Sequence, residues 1–539
     1  MSLLEFDYVI VGAGSAGCVL ADRLTRCGRY TVLLLESGGS DSRFWVKVPI
    51  GYAINVNNPA LNWGYQTAPD AGLNDRRIVW PRGRLIGGSS SINAMAYVRG
   101  LGKDFDDWEA AGALGWGWQN VKQIYERLET RVECSIRGRE TIGEGPVIVS
   151  DLSKQMSRFS ETFLSAARDM GHTIAPDMNA QDDENISFYR STVRNGVRWS
   201  AADAFLKPAK KRPNLTVMQN ADVSRLVHED GRVSGVAIRC GGKAAHAKAR
   251  GEVLLCAGAI NSPKLMQISG LGPEEVLRRN GIAVRKNLPF VGRGLQDHLA
   301  ISYQFQARDK TLNHSLGRPI GKLIAGVTYL ASRRGPLAVP VNQVGGFVRS
   351  RAEEVSPDVQ LYFNPVSYHV APNGKTVVDR TSGYQISAQP CRPTSTGSIE
   401  IESSSPEAAP RIMPNSLSSS FDQSKAIAAG RVLQKYAQTD SLRAVTKAAK
   451  APDLLALDGD ALLEDFRQRA STVFHPTCTC RMGRTERDSV LDSRLRVHGV
   501  PGLRVVDASA FPNITSGNTN APTMMLAMRA ADLILEDAR

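Results

Sequence analysis

The stretch from residue 6 to residue 36 constrains the fold of this chain more than any other. A β-branched run, Asp7-Tyr8-Val9-Ile10-Val11, enters the hexad Gly12-Ala13-Gly14-Ser15-Ala16-Gly17, and an apolar helical stretch follows. After a break, Thr31-Val32-Leu33-Leu34-Leu35 forms a second strand-like run that ends on Glu36. Strand, Gly-x-Gly-x-x-Gly, helix, strand and terminal acid are the parts of a βαβ dinucleotide-binding unit. Gly12 permits the tight turn out of the strand, Gly14 lets backbone approach a pyrophosphate, and Gly17 allows helix and strand to pack closely. Ser15 and Ala16 open the helix, whose unpaired N–H groups and positive dipole end face the phosphates. Glu36 lies 19 residues after Gly17, where a carboxylate accepts hydrogen bonds from ribose hydroxyls. The unit leaves open whether the dinucleotide is NAD or FAD.

A chain of 539 residues is long enough for two or three domains. No segment approaches the roughly 18 uninterrupted apolar residues of a membrane helix. The first strand starts too close to Met1 for a secretory signal, so the expectation is a cytoplasmic protein without an integral membrane segment. The formal charge is +13, but its 66 basic and 53 acidic residues are interspersed. The densest basic cluster, residues 207–212, lacks interleaved aromatics and reads as a solvated loop after a helix; no nucleic-acid partner is expected. The eight cysteines are scattered and do not form a disulfide framework. Cys478-Thr479-Cys480 has no second cysteine pair and reads as buried packing, so no metal site is expected.

Farther along, Pro81-Arg82-Gly83-Arg84-Leu85-Ile86-Gly87-Gly88-Ser89-Ser90-Ser91-Ile92-Asn93 is a second Gly/Ser-rich loop, and apolar residues from Ala94 follow at once. A loop so small and so rich in N–H groups inside a folded core suits close contact with a flat or anionic ligand. Residues 104–129 and 153–171 have helical spacing. Residues 214–256 alternate like a β-meander and run into Ala257-Gly258-Ala259-Ile260-Asn261-Ser262-Pro263, a sharp strand-to-helix transition. The composition then changes. Between 299 and 455 the glycine loops vanish, and strand-like runs (301–305, 359–363, 384–388, 398–401) mix with helical stretches (320–330, 421–436). The expected order is a cofactor-side segment over 1–155, its continuation over 156–298, a substrate-facing layer over 299–455, and completion of the cofactor side over 456–539.

Two polar constellations lie near the end of the chain. In Phe474-His475-Pro476-Thr477-Cys478-Thr479-Cys480-Arg481-Met482-Gly483, the histidine precedes proline and is held extended. The second, Val505-Val506-Asp507-Ala508 with Asn518-Thr519-Asn520-Ala521-Pro522-Thr523, places amides just before a final apolar helix over 522–537. Residue chemistry alone leaves His475 either a general base or a satisfied core histidine.

Taken together, five motifs in this order resemble the glucose–methanol–choline (GMC) oxidoreductase family. They are the Gly12–Gly17 unit with Glu36, the 83–93 loop, the Gly258-Ala259-Ile260-Asn261-Ser262-Pro263 turn followed by Ser269-Gly270-Leu271-Gly272, the His475-Pro476 segment, and Asn518-x-Asn520-x-x-Thr523. The resemblance implies an α/β fold with an α+β part: a Rossmann-like FAD-binding domain assembled from discontinuous segments, plus a substrate domain on an antiparallel sheet. It implies that Gly12, Gly14 and Gly17 hold the pyrophosphate and Glu36 the ribose. Val223 is expected to bond adenine through its backbone. The loop from Gly87 to Asn93, with Gly88 and Ser89, is expected to line the flavin, and Arg84 and Ala94 are expected to contact the cofactor. Asp507, Ala508, Asn518, Asn520 and Ala521 are expected to close over the ribityl chain and ring.

By the same resemblance His475 is the catalytic histidine. Asn520, counted back from Thr523, is its active-site partner. The implied reaction oxidises a primary or secondary small-molecule alcohol by hydride transfer to flavin N5, with O₂ or a quinone-type acceptor taking the electrons. Hydroxynitrile lyases share the scaffold and are the alternative reading. Where some members attach FAD through a histidine just before the asparagine of the second motif, this chain has Ile92, so non-covalent FAD is expected.

Overall fold

The computed structural model describes residues 3–135, 138–180, 182–371 and 376–539. Strand β1 (Leu3–Val11) runs into helix α1 (Ser15–Thr25), and β2 (Val32–Glu36) follows. Every residue of β2 is buried, as a strand covered on both faces requires. Five more strands complete this sheet: β3 (Leu215–Gln219), β4 (Ala221–Glu229), β5 (Arg232–Cys240), β6 (Lys243–Leu255) and, returning from the far end of the chain, β7 (Leu503–Val505). β3, β2, β1 and β6 pair in parallel, and β7 joins the end of β6.

The first half of β6 pairs antiparallel with β5, which pairs with β4. Thus only β4 to β6 form a meander. β3, expected within it, lies parallel beside β2 instead. A single residue, Asn220 at φ +53°, separates β3 from β4, yet the two sit at opposite ends of the pairing order. The meander therefore folds back across the carboxyl edge of the parallel strands, which carries Val223 toward Glu36.

Helix α2 (Gly258–Ile268) follows β6, α3 (Pro319–Ser332) lies outside both sheets, and α4 (Asn520–Asp537) packs against α1. Val9, Ile10, Val19, Leu20, Leu34, Leu254, Met524 and Leu526 share one buried core.

A second sheet is antiparallel throughout, ordered 446–449, 299–307, 383–390, 359–364, 344–348 and 185–188. Its core includes Ile301, Phe363, Tyr384, Ile386 and Leu433. The segment 156–298 serves both layers: Asn185–Phe188 is an edge strand here, and the helix Ser160–Asp169 packs Phe163 flat on Phe363 with ring centroids 4.8 Å apart. Turn residues divide the expected 104–129 helix into Gly102–Ala110 and Trp118–Leu128. Arg212 of the basic cluster is no solvated loop residue, because its guanidinium holds Asp22 of α1 at 2.8 Å.

Candidate functional site

A cavity of about 1270 Å³ runs from the carboxyl edge of the parallel sheet to the face of the antiparallel one. Gly12, Gly14, Ser15, Ala16, Glu36, Arg84, Gly88, Ser89, Asn93, Ala94, Val223, Asp507, Ala508, Asn518, Asn520 and His475 all line it. Gly17, Gly87 and Ala521 stand behind that lining. Their work is packing: a Cβ on Gly17 would lie 1.9 Å from the Gly12 carbonyl oxygen, and Gly87 at φ +84° donates its N–H to Ala13 O at 2.8 Å.

The sheet end of the cavity has the chemistry of a dinucleotide cradle. The first and second glycine loops touch, since a Cβ on Gly88 would meet Gly14 Cα at 2.7 Å. Ser15 Oγ donates to Asn520 Oδ1 at 2.7 Å, tying the N-terminus of α1 to that of α4, so two helix N-termini face the same space. Glu36 is buried with only the N–H groups of Ala13 and Gly38 on its carboxylate, at 2.9 and 2.8 Å. Burial raises its pKa to about 7. A buried carboxylate with spare lone pairs and no bonded cation fits a ligand that brings hydroxyl donors, as a ribose does. Val223 lies at a register shift between Val223 and Arg225, where a bulge re-aims the backbone.

Asp507 organises this wall from within. Its oxygens accept from Gly258 N, Ser262 Oγ, Ser509 N and Ser509 Oγ, which fixes the α2 turn to the loop after β7. Arg198, which sequence reasoning did not single out, is buried beneath the second glycine loop. It donates to Val46 O, Ser90 O and Asn93 Oδ1, and burial lowers its pKa to about 9.

At the other end two antiparallel segments place a pair of histidines. Leu299 and Ala300 pair with Thr472 and Ser471, and Gln296 bridges Thr477. Val473 N donates to His298 O at 3.1 Å and His475 N donates to Asp297 Oδ1 at 2.8 Å. That register sets His298 beside His475, rings edge-on with centroids 5.3 Å apart. Phe474, which precedes His475, adopts φ +69°, a left-handed conformation that costs on the order of 1–3 kcal/mol for a bulky residue. Arg82, donating to Phe474 O at 2.6 Å, helps to hold it.

Proton positions follow from the partners. The Cys391 carbonyl oxygen, 2.6 Å from His298 Nε2, can only accept, so that nitrogen carries the hydrogen. A neutral His298 then accepts at Nδ1, which makes His475 Nδ1 the donor across the 3.0 Å contact. His475 Nε2 is left as a lone pair, 3.2 Å from Asn518 Nδ2, which donates to it. Burial, then the neighbouring His298 and Arg82, keep the His475 pKa well below the usual histidine value. His475 is thus neutral, and it lines the cavity.

This geometry corrects one expectation. The amide facing His475 is Asn518, not Asn520, whose oxygen is occupied by Ser15. Asn518 lies before α4 begins, whereas Asn520 is its first residue and turns toward α1. Asn518 is itself held by Gln360, whose Nε2 donates to Asn518 Oδ1 at 3.3 Å. His298 was also missed; only its place immediately before the strand Leu299–Ala307 hints at a site.

The two histidines make the fold sensitive to acid. Burial lowers His298 from 6.5 to about 4, so between those values the unfolded chain binds a proton that the folded site refuses. Stability is present above pH 6.5 and falls with pH through that window, by on the order of 3 kcal/mol for His298 at about 1.4 kcal/mol per unit. Asp297, raised by burial to about 6, works in the opposite sense. Urea midpoints of wild type and His298→Asn at pH 7 and 4.5 test this: the variant is expected to lose less on acidification.

A discontinuous parallel sheet with a glycine cradle, joined to an antiparallel sheet beside which a buried histidine lines the shared cavity, is the architecture of a dinucleotide-binding enzyme. Residues 6–300 match the N-terminal GMC oxidoreductase model and residues 393–527 the C-terminal one. The chain belongs to the GMC oxidoreductase family. It is 38% identical to an alcohol dehydrogenase [acceptor] of Pseudomonas putida, over 98% of this chain and 96% of that one. It is also 38% identical to the mitochondrial choline dehydrogenase of Homo sapiens, over 98% and 90%. The crystal structure of pyridoxine 4-oxidase from Mesorbium loti superposes with a TM-score of 0.86 at 28% identity, covering 98% of both chains.

Proposed function

We propose that this protein oxidises uncharged alcohols with an apolar body, using non-covalently bound FAD, and that His475 and Asn518 carry the proton chemistry. The observation that carries this reading is the ordered chain from Cys391 O through His298 to His475, ending on a lone pair beside an amide N–H. Gly12, Gly14, Gly88 and Glu36 would hold the adenine-nucleotide half of FAD, and Asn93, Ala94, Ala508 and Asn518 would border the flavin. When bound, FAD supplies the hydride acceptor. An alcohol entering between the two side chains donates its O–H to His475 Nε2 and accepts from Asn518 Nδ2. His475 removes that proton as the carbinol hydride departs, and the Asn518 N–H stabilises the charge growing on oxygen.

Substrate class follows from the walls. Tyr52, Tyr362, Val366, Tyr368, Leu316 and Phe474 line the far side together with Asn364, Gln385 and Ser387. The carboxylates of the lining (Glu36, Asp222, Glu407, Asp507) belong to the nucleotide side, so a cationic alcohol such as choline would find aromatics but no counter-charge. The names of the Pseudomonas and choline relatives support an alcohol substrate in general.

An anaerobic panel of aliphatic, aryl and choline-type alcohols tests this reading. The yellow band is expected to bleach with the uncharged alcohols, and reoxidation in air with peroxide release would separate O₂ from a quinone-type acceptor. Cyanohydrin cleavage without bleaching would replace oxidation by the lyase reading. Ile92 offers no nucleophile, so acid precipitation is expected to release the yellow colour to the supernatant; colour kept in the pellet would refute non-covalent attachment.

A further inference from the structure

We propose that the outward face of α3 docks on an anionic lipid surface and seats the mouth of the cavity against the bilayer. α3 is held from within by Ala325 and Tyr329, which are buried. Its other side is just as apolar: Ile320, Leu323, Ile324, Val327 and Leu330 are 59–73% exposed. Their spacing of three and four residues puts them on one stripe. Phe44, itself half exposed, packs edge-on to the inward Tyr329 with ring centroids 6.4 Å apart. A contiguous apolar surface of this kind marks an interaction site.

Charge selects the occupant. From residue 310 to residue 352 the chain contains no Asp or Glu. Arg318, Lys322, Arg333 and Arg334, at the ends of α3 and along it, are exposed. A second copy docking through a two-fold axis would set these cations against their own images. Anionic headgroups would neutralise them while the apolar stripe enters the acyl boundary and the Lys322 stem snorkels upward. With 14 residues, α3 is shorter than the roughly 20 needed to span a bilayer, and none of the described helices is long and apolar enough to cross a membrane. The mode is therefore lying on the surface. Lys322 and Gly326 also line the cavity that contains His475, so an apolar alcohol dissolved in lipid would reach the site without crossing water. That consequence rests on the proposed function; the docking itself does not.

The test is co-sedimentation of the purified flavoprotein with vesicles of phosphatidylcholine alone and of phosphatidylcholine with phosphatidylglycerol. Wild type is expected to pellet with the anionic vesicles, at least ~10-fold more tightly than with neutral ones, and to be released by salt. Leu323→Glu with Val327→Glu is expected to abolish pelleting, and Arg334→Glu to weaken it several-fold. Both variants should keep the flavin spectrum and its reduction by a water-soluble alcohol, which separates failed docking from a failed fold or a failed alcohol reading. Wild type remaining in the supernatant, or the double variant pelleting like wild type, would overturn the proposal. So would a wild-type dimer in sedimentation velocity that the double variant converts to monomer without any vesicle binding.

Discussion

The His475→Ala protein is expected to retain its yellow cofactor and to lose flavin reduction by an alcohol by roughly 10²-fold or more. Nothing in the nucleotide cradle depends on His475: the Glu36 carboxylate, the contact between the glycine loops and the Ser15–Asn520 bond lie at the sheet end. What the substitution removes is the terminal acceptor of the chain that begins at Cys391 O. Asn518 would remain, but an amide cannot take the hydroxyl proton. His298 Nδ1 would also be left buried without its donor, at a cost of about 1–3 kcal/mol in stability, so urea unfolding should be followed alongside the kinetics. The decisive measurement is anaerobic stopped-flow reduction at saturating alcohol. A reduction rate within a few-fold of wild type would remove His475 from the chemistry, whatever the steady-state turnover.

The glycine cradle at the sheet end was legible in the sequence because its backbone requirements are largely local. Gly12 at φ +102° must be glycine for a reason confined to its own turn, and the would-be Cβ 2.5 Å from Cys256 O only adds a distant strand to it. The same holds for Gly17 against the Gly12 carbonyl. The presence of a second, antiparallel layer was legible too, since the glycine loops vanish between 299 and 455, where strand-like and helical runs mix. What was hidden is set by pairing between distant segments. His298 reaches His475 only through the register of 296–300 against 471–477, and no periodicity reports a register. β3 looked like meander because alternation is the same for either direction of pairing. In α3 the spacing predicts a helix, but an apolar residue on the outer face reads like one on the inner face, so only the fold shows which stripe lacks cover.

Asn518→Ala and Asn520→Ala are expected to separate into a rate variant and a cofactor variant. Two residues apart in sequence, the amides lie on either side of the start of α4 and bond different partners, His475 and Ser15. Asn518 points its N–H at His475 Nε2, where the substrate oxygen would gather charge. Removing a donor aimed at developing negative charge costs on the order of 10² in rate, so the Asn518→Ala protein should hold FAD normally and reduce it ~10²-fold more slowly. Asn518→Asp should be slower still, because a carboxylate offers repulsion where the amide offered a donor. Asn520, by contrast, accepts from Ser15 Oγ and fastens α4 to α1 above the expected phosphates. Its loss removes one part-buried hydrogen bond, about 1 kcal/mol, and should weaken FAD retention by up to ~10-fold while leaving the reduction rate of the FAD-loaded fraction within a few-fold. Flavin titration into the stripped variants and single-turnover reduction of the loaded ones read the two effects independently. The reverse pattern, with Asn520→Ala slow and Asn518→Ala merely leaky, would restore the assignment that counting back from Thr523 gives and would place the proton chemistry on the other side of the helix start.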